Sequence, residues 1–154
     1  MTIKPKRSLG QNFLIDRDVL NKIVETVNIN EKTILEIGPG SGNLTSYIHK
    51  KNPKKIYVVE KDDDLSLLLK EKFNNEIEII NEDILKVDEN KISDERLIVF
   101  GNLPYNISTE ILSKWVLNLN KKIWFDCLVL MFQKEVADRI IAKTNTTNYG
   151  RLSI

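Results

Sequence analysis

Five short apolar runs, at residues 33–37, 55–59, 77–80, 97–100 and 127–131, dictate most of what this chain can fold into. They are rich in Ile, Val and Leu and too short for buried helices, so they read as strands of a parallel sheet covered on both faces. Between them lie stretches with helical spacing. One carries Leu44, Tyr47 and Ile48; the next starts at Asp62 or Asp63 and carries Leu65, Leu68, Leu69 and Phe73; a third carries Ile111, Leu112, Trp115, Val116 and Leu119. A further helix begins over residues 133–141. Strand–helix alternation with right-handed crossovers makes the fold class α/β, a mostly parallel sheet with helices on both faces.

A length of 154 residues with 42% hydrophobic content suits one such domain over residues 1–154. An arm and helix occupy about residues 1–30, and the sheet core about 31–154. Asp16 has the position of an N-cap, before an inner face of Val19, Leu20, Ile23, Val24 and Val27. No run of about 18 apolar residues is present, so no membrane span is expected. The basic start Met1-Thr2-Ile3-Lys4-Pro5-Lys6-Arg7 lacks the apolar stretch of a secretory signal. The single cysteine, Cys127, lies in an apolar run and reads as a buried, inert thiol. These features together predict a cytoplasmic protein. Cys127 and His49 are too far apart for ligand spacing, so no metal is expected; His49 reads as solvated. A net charge of +1 is no general polyanion signature, and Lys4, Lys6 and Arg7 are the best local candidates for phosphate contact.

In a parallel sheet the residues that follow the strands gather on one edge, where open α/β sheets bind ligands. Four segments collect there. After the first strand comes Gly38-Pro39-Gly40-Ser41-Gly42, whose glycines let the backbone approach a ligand closely, with Glu36 just ahead of them. Glu36 could secure a ligand's amino group or order the loop. A glycine turn alone is a weak signal shared with dinucleotide enzymes, although the spacing here is not G-x-G-x-x-G. Glu60 ends the second strand about 20 residues on, where a carboxylate suits both hydroxyls of a ribose. Asp83 could accept from an adenine amino group while Ile84 packs on its ring. The fourth segment is Gly101-Asn102-Leu103-Pro104-Tyr105-Asn106-Ile107-Ser108. Asn102 offers a side-chain carbonyl and Leu103 a backbone one, Pro104 stiffens both, and Tyr105 offers a flat face for stacking. Two acceptors beside an aromatic plate suit an exocyclic amine. A plain strand-to-helix turn with Ser108 as N-cap explains these residues taken alone equally well; their convergence with the other three segments favours the first reading.

Together with Ser8-Leu9-Gly10-Gln11-Asn12-Phe13-Leu14, these motifs resemble the ribosomal RNA adenine dimethyltransferases in order and spacing, from about Lys6 to the end. The resemblance implies a Rossmann-like domain that uses S-adenosylmethionine. In it, Gln11, Asn12 and Leu14 would close over the methionine end of the cofactor, and Gly38, Gly40 and Gly42 would line it. Glu60 would hold the ribose, and Asp83 with Ile84 the adenine. Asn102, Leu103, Pro104 and Tyr105 would bind and stack the target base, with direct transfer to its amine. Gln133-Lys134-Glu135-Val136-Ala137 and Tyr149-Gly150-Arg151-Leu152-Ser153 resemble the housekeeping small-subunit enzyme, which dimethylates two adjacent adenosines near the 3′ end of its RNA. The implied partner is small-subunit ribosomal RNA or the assembling subunit, and the implied state a monomer. The macrolide-resistance type acting on large-subunit RNA, a nucleotide-dependent oxidoreductase, and a non-catalytic RNA-binding or assembly factor are the rivals. The family continues past the position of Ile154, with further strands and a helical domain, so the resemblance implies the cofactor-binding portion of a longer enzyme.

Overall fold

The computed structural model describes residues 14–118 and 123–153. Its centre is a sheet of five parallel strands, β1 Thr33–Ile37, β2 Lys55–Val59, β3 Glu78–Ile80, β4 Leu97–Asn102 and β5 Phe125–Met131. The strands lie in the order β3-β2-β1-β4-β5, so the chain works outward from β1 to one side and then returns to the other. Five α-helices accompany them: α1 Arg17–Glu25, α2 Asn43–His49, α3 Asp63–Phe73, α4 Ser108–Leu117 and α5 Lys134–Ile140.

Successive side chains of a strand point to opposite faces, and the core divides accordingly. Ile34, Ile56, Val58, Ile98 and Phe100 pack with Leu20 and Val24 of α1, Leu44 and Ile48 of α2, and Leu69 and Phe73 of α3. Leu35, Ile37, Val59, Leu97 and Val99 pack on the other face with Ile111 and Trp115 of α4. Every residue of β1 is buried, as its central place requires. Burying a Leu, Ile or Phe side chain completely stabilises by about 1.5–3 kcal/mol, so these two layers dominate the energetics.

Helix starts follow side-chain chemistry. Asp16 Oδ1 accepts from the amides of Asp18 and Val19, and Asp62 Oδ1 does the same for Asp64 and Leu65. Ser108, expected to be an N-cap, is instead the first residue of α4. The tight turn closed by Ile107 N donating to Pro104 O runs directly into the helix, so Ile107 takes the cap position. The Ser108 hydroxyl turns back to the Tyr105 carbonyl at 3.4 Å.

Several faces are narrower than periodicity suggests. Val19 and Val116 are exposed, because short helices bury only the stripe through Leu20 and Val24 or through Ile111 and Trp115. Leu119 lies outside the described residues. Cys127 is half-buried rather than buried, since among the described residues β5 has a neighbour on one side only. His49 is not merely solvated: its Nε2 lies 2.8 Å from Glu76 Oε2.

β4 runs two residues further than its apolar run. Gly101 and Asn102 continue the ladder, opposite Leu130 and Met131 of β5. A Cβ on Gly101 would stand 2.8 Å from Leu103 Cδ2 and 3.3 Å from Leu130 Cδ2. Any larger residue here would have to push these leucine side chains aside.

Candidate active site

The order of strands reverses between β1 and β4, and both lead to the same edge of the sheet. Ile37 is opposite Gly101, so the next residues, Gly38 and Asn102, flank the opening between the two departing chains. Open α/β sheets bind ligands in this crevice. Here it is a cleft of about 260 Å³ with walls from the ends of four strands. Leu14, Glu36, Gly38, Gly40, Glu60, Asp83, Ile84, Asn102 and Pro104 line it.

The turn after β1 is built from backbone geometry. Gly38, Gly40 and Gly42 have φ of 63°, 57° and 72°. Gly38 N donates to Val59 O, and Gly42 N to Pro39 O, both at 2.9 Å. Gly42 is the cap residue of α2 and lies beneath the cleft, off its lining. A Cβ there would meet Leu69 Cδ2 and Phe73 Cε2 at 2.8 Å, so this glycine permits close packing of the turn on α3. Lys72 of α3 donates to the carbonyls of Ser41 and Gly42, both at 2.9 Å, which holds the outer limb of the turn. Asn43 Nδ2 donates to Leu14 O at 2.9 Å and fixes the chain before α1 against the cleft.

Of the four carboxylates that line the cleft, Glu36, Glu60 and Asp83 stand in different electrostatic states. Glu36 is buried, and burial pushes its carboxyl up to about 7. The Thr45 hydroxyl and the Lys72 cation pull it down, while the Glu60 charge adds to the rise. Its Oε2 and the Thr45 hydroxyl nonetheless lie buried with neither in a well-formed hydrogen bond. Glu60 is also buried and raised for the same main reason. It is opposed by the backbone amides of Asp62 and Gly40, which donate to Oε1 at 2.9 Å and to Oε2 at 3.2 Å. Asp83 is held below the usual carboxylate range, first by Lys61 at 2.8 Å from its Oδ2 and then by the Leu85 amide on Oδ1.

On the opposite wall, Asn102, Pro104, Asn106 and Ile107 face the cleft. Leu103 is buried in the core beside Gly101 and is not part of the cleft lining. Tyr105 is 41% exposed and stands outside the cleft lining. Gln11 and Asn12 lie outside the described residues. Lys61, Asn43 and Lys72 are the additions to the sequence reading. Asn43 was marked only by its place at the start of a helix, and the lysines carried no pattern. Among the described residues no cluster of His, Cys, Asp and Glu could hold a metal ion, and no helix is long and apolar enough to cross a membrane.

An orphaned carboxylate oxygen at Glu36, a backbone turn open at Gly38, and acidic groups at successive strand ends make the cleft suited to a ligand that carries hydrogen-bond donors. With the strand order, they define the class: a Rossmann-like α/β domain with a ligand cleft at its switch point. Comparison narrows it. The sequence pattern of the ribosomal RNA adenine dimethylase family matches residues 2–154, and the chain belongs to that family. It is 73% identical to ribosomal RNA small subunit methyltransferase A of Pelagibacter ubique over 154 residues, 100% of this chain and 59% of that protein. The protein of the same name from Ehrlichia ruminantium is 46% identical, with 99% of this chain and 58% of that protein covered. Among solved structures, a dimethyladenosine transferase from Plasmodium falciparum superposes with a TM-score of 0.80 at 30% identity, over 93% of this chain and 51% of that one. The 23S rRNA methyltransferase ErmE gives 0.71 at 29%, over 91% of this chain and 53% of that one. The chain thus spans less than two thirds of the relatives it matches.

Proposed function

We propose that this chain is the cofactor-binding and base-binding portion of an enzyme that dimethylates the exocyclic amines of two adjacent adenosines near the 3′ end of small-subunit ribosomal RNA. The methyl donor in this reading is S-adenosylmethionine, the setting is assembly of the small subunit in the cytoplasm, and the acting species is a monomer. The carrying observation is the shared cleft, where Asn102 at the end of β4 faces the glycine turn, Glu60 and Asp83. The names of the 73% and 46% identical relatives favour the small-subunit target over the large-subunit one that ErmE's title gives.

Glu60 accepts from ribose hydroxyls in this reading, Asp83 from the adenine amine, and Ile84 packs on the ring. Gly38 and Gly40 let the backbone close on the donor in this reading, and Leu14, with Gln11 and Asn12 by the family resemblance, covers its methionine end. Bound S-adenosylmethionine supplies an electrophilic sulfonium methyl. The target adenosine leaves its stack to reach this depth, and Tyr105 at the mouth gives it a new stacking surface. Asn102 Oδ1 and the Leu103 carbonyl accept the amine's two N–H donors and draw its lone pair out of conjugation, with Pro104 keeping them stiff. Asn102 is neutral and takes no proton, so the proton leaves after the new bond forms. Positioning and aimed acceptors are the enzyme's contribution.

The test uses unmodified small ribosomal subunits and a labelled methyl donor, with this chain and with one extended to its relatives' length. Label on two adjacent adenosines near the 3′ end is the expected result. RNA binding without transfer by the extended chain would favour an assembly factor, and label on large subunits instead would favour the resistance-type activity. Calorimetry should show S-adenosylhomocysteine binding and no NAD binding; the reverse would make the domain an oxidoreductase.

A further inference from the structure

The wall of the cleft formed by Glu82, Asp83, Ile84 and Leu85 follows β3 and belongs to no sheet ladder of its own. It continues through Val87 to a 3-10 turn at Glu89–Lys91. Such a segment needs partners for its carbonyls and a reason to stay in place. Ile84 is buried in the core and Lys86 N donates to Asp83 O, and the partners for the Ile84 and Val87 carbonyls come from one side chain behind the segment. Lys114, in the last turns of α4, donates to Ile84 O at 2.9 Å, to Val87 O at 2.6 Å and to Glu89 Oε1 at 2.7 Å. An ammonium has three donors, and all three are used. Glu89 is buried, and its Oε1 also accepts from Trp115 Nε1 at 2.6 Å. Trp115 is in turn packed edge-to-face on Trp124, with ring centroids 5.4 Å apart. The same helix starts directly after the Asn102–Ile107 turn on the opposite wall.

We propose that Lys114 is a positioning residue of the cleft, its ammonium tying the Ile84–Val87 wall to α4 and so fixing that wall relative to the Asn102 turn. The inference rests on reading the cleft as the adenosyl site. Lys114 touches no ligand; it acts through the backbone that carries Asp83 and Ile84. Charge-assisted bonds to buried acceptors are among the stronger local restraints, and without Lys114 the buried Glu89 carboxylate keeps Trp115 Nε1 but loses its cation, while the Ile84 and Val87 carbonyls lose their donor.

The experiment measures S-adenosylhomocysteine affinity by calorimetry, well below the melting temperature, for the wild-type chain and for Lys114→Met, Lys114→Arg and Leu97→Ala. Leu97→Ala removes core packing at the start of β4, the strand end away from the cleft, and serves as the control for lost stability. Lys114→Met is expected to weaken binding about tenfold, the order set by losing a charge-assisted restraint. Lys114→Arg is expected to restore most of it, and Leu97→Ala to leave affinity unchanged. Unchanged affinity in Lys114→Met, or equal losses in Lys114→Met and Leu97→Ala, overturns the proposal. If Lys114→Met does not fold, Glu89→Gln decides in its place: weaker binding supports the tie and unchanged binding refutes it. A wild-type chain that binds no S-adenosylhomocysteine refutes the cofactor reading itself, a separate result.

Discussion

Replacing Gly42 by alanine puts two penalties on one methyl group. At φ of 72° the residue is left-handed, which costs an L side chain about 1–2 kcal/mol. The added Cβ would also stand 2.8 Å from both Leu69 Cδ2 and Phe73 Cε2, and 3.3 Å from Phe73 Cζ. Leu69 is fully buried and Phe73 nearly so, so neither has room to retreat, and overpacking of this kind costs about 1–3 kcal/mol. The sum is a loss of about 2–5 kcal/mol, a large share of the roughly 5–15 kcal/mol that holds a domain folded. Two other glycines calibrate the reasoning. Gly38→Ala carries the backbone penalty at φ of 63°, but its Cβ would lie 3.9 Å from the nearest atom, Asn102 O, so about 1–2 kcal/mol is expected. Gly150→Ala meets nothing within 4 Å and should be near neutral. Urea unfolding of the three variants, followed by circular dichroism, gives the ranking. Gly42→Ala no worse than Gly38→Ala would show that α3 yields to the intruding methyl, and would refute the packing half of the account.

Three further predictions concern the site. Asn102→Ala in the extended enzyme should lower single-turnover methylation by roughly 10²–10³, the scale of losing one preorganised polar group, and near-normal turnover would remove Asn102 from the reaction. Tyr105→Ala should cost about 1–3 kcal/mol of base stacking, read as weaker RNA binding, with S-adenosylhomocysteine affinity unchanged; a large loss of that affinity would place Tyr105 inside the cofactor site. Glu36 has a folded-state pKa of about 7 against an ordinary 4.5, so the native state holds the extra proton between these values. Its contribution to stability is therefore greatest at low pH and declines as pH rises through that window, by about 3 kcal/mol in all. Glu36→Gln should accordingly gain on the wild type in thermal unfolding at pH 8 and not at pH 4; equal shifts at both would exclude a titrating Glu36.

Much of this architecture was legible because parallel strands buried on both faces must be apolar throughout, and β1, β2 and β4 obey that rule closely. The strand-end residues were legible because one sheet direction sends them to one edge, which is why Glu60, Asp83 and Asn102 border a common cleft. Side-chain reach was not. Lys114 bonds to carbonyls that lie 27 and 30 residues away, and Lys72 reaches back 30 and 31 residues to the glycine turn. Periodicity sees one residue at a time and assigns such lysines to solvent. Ser108 is not the cap because the Pro104–Ile107 turn runs directly into α4 and leaves Ile107 in the cap position.

The reversal of strand order between β1 and β4 leaves a gap that no side chain has to create, since it follows from connectivity alone. Rim residues can then be exchanged one at a time without collapsing the hollow they surround. The recess is thus a property of the chain path, and the side chains around it are free to set what it holds.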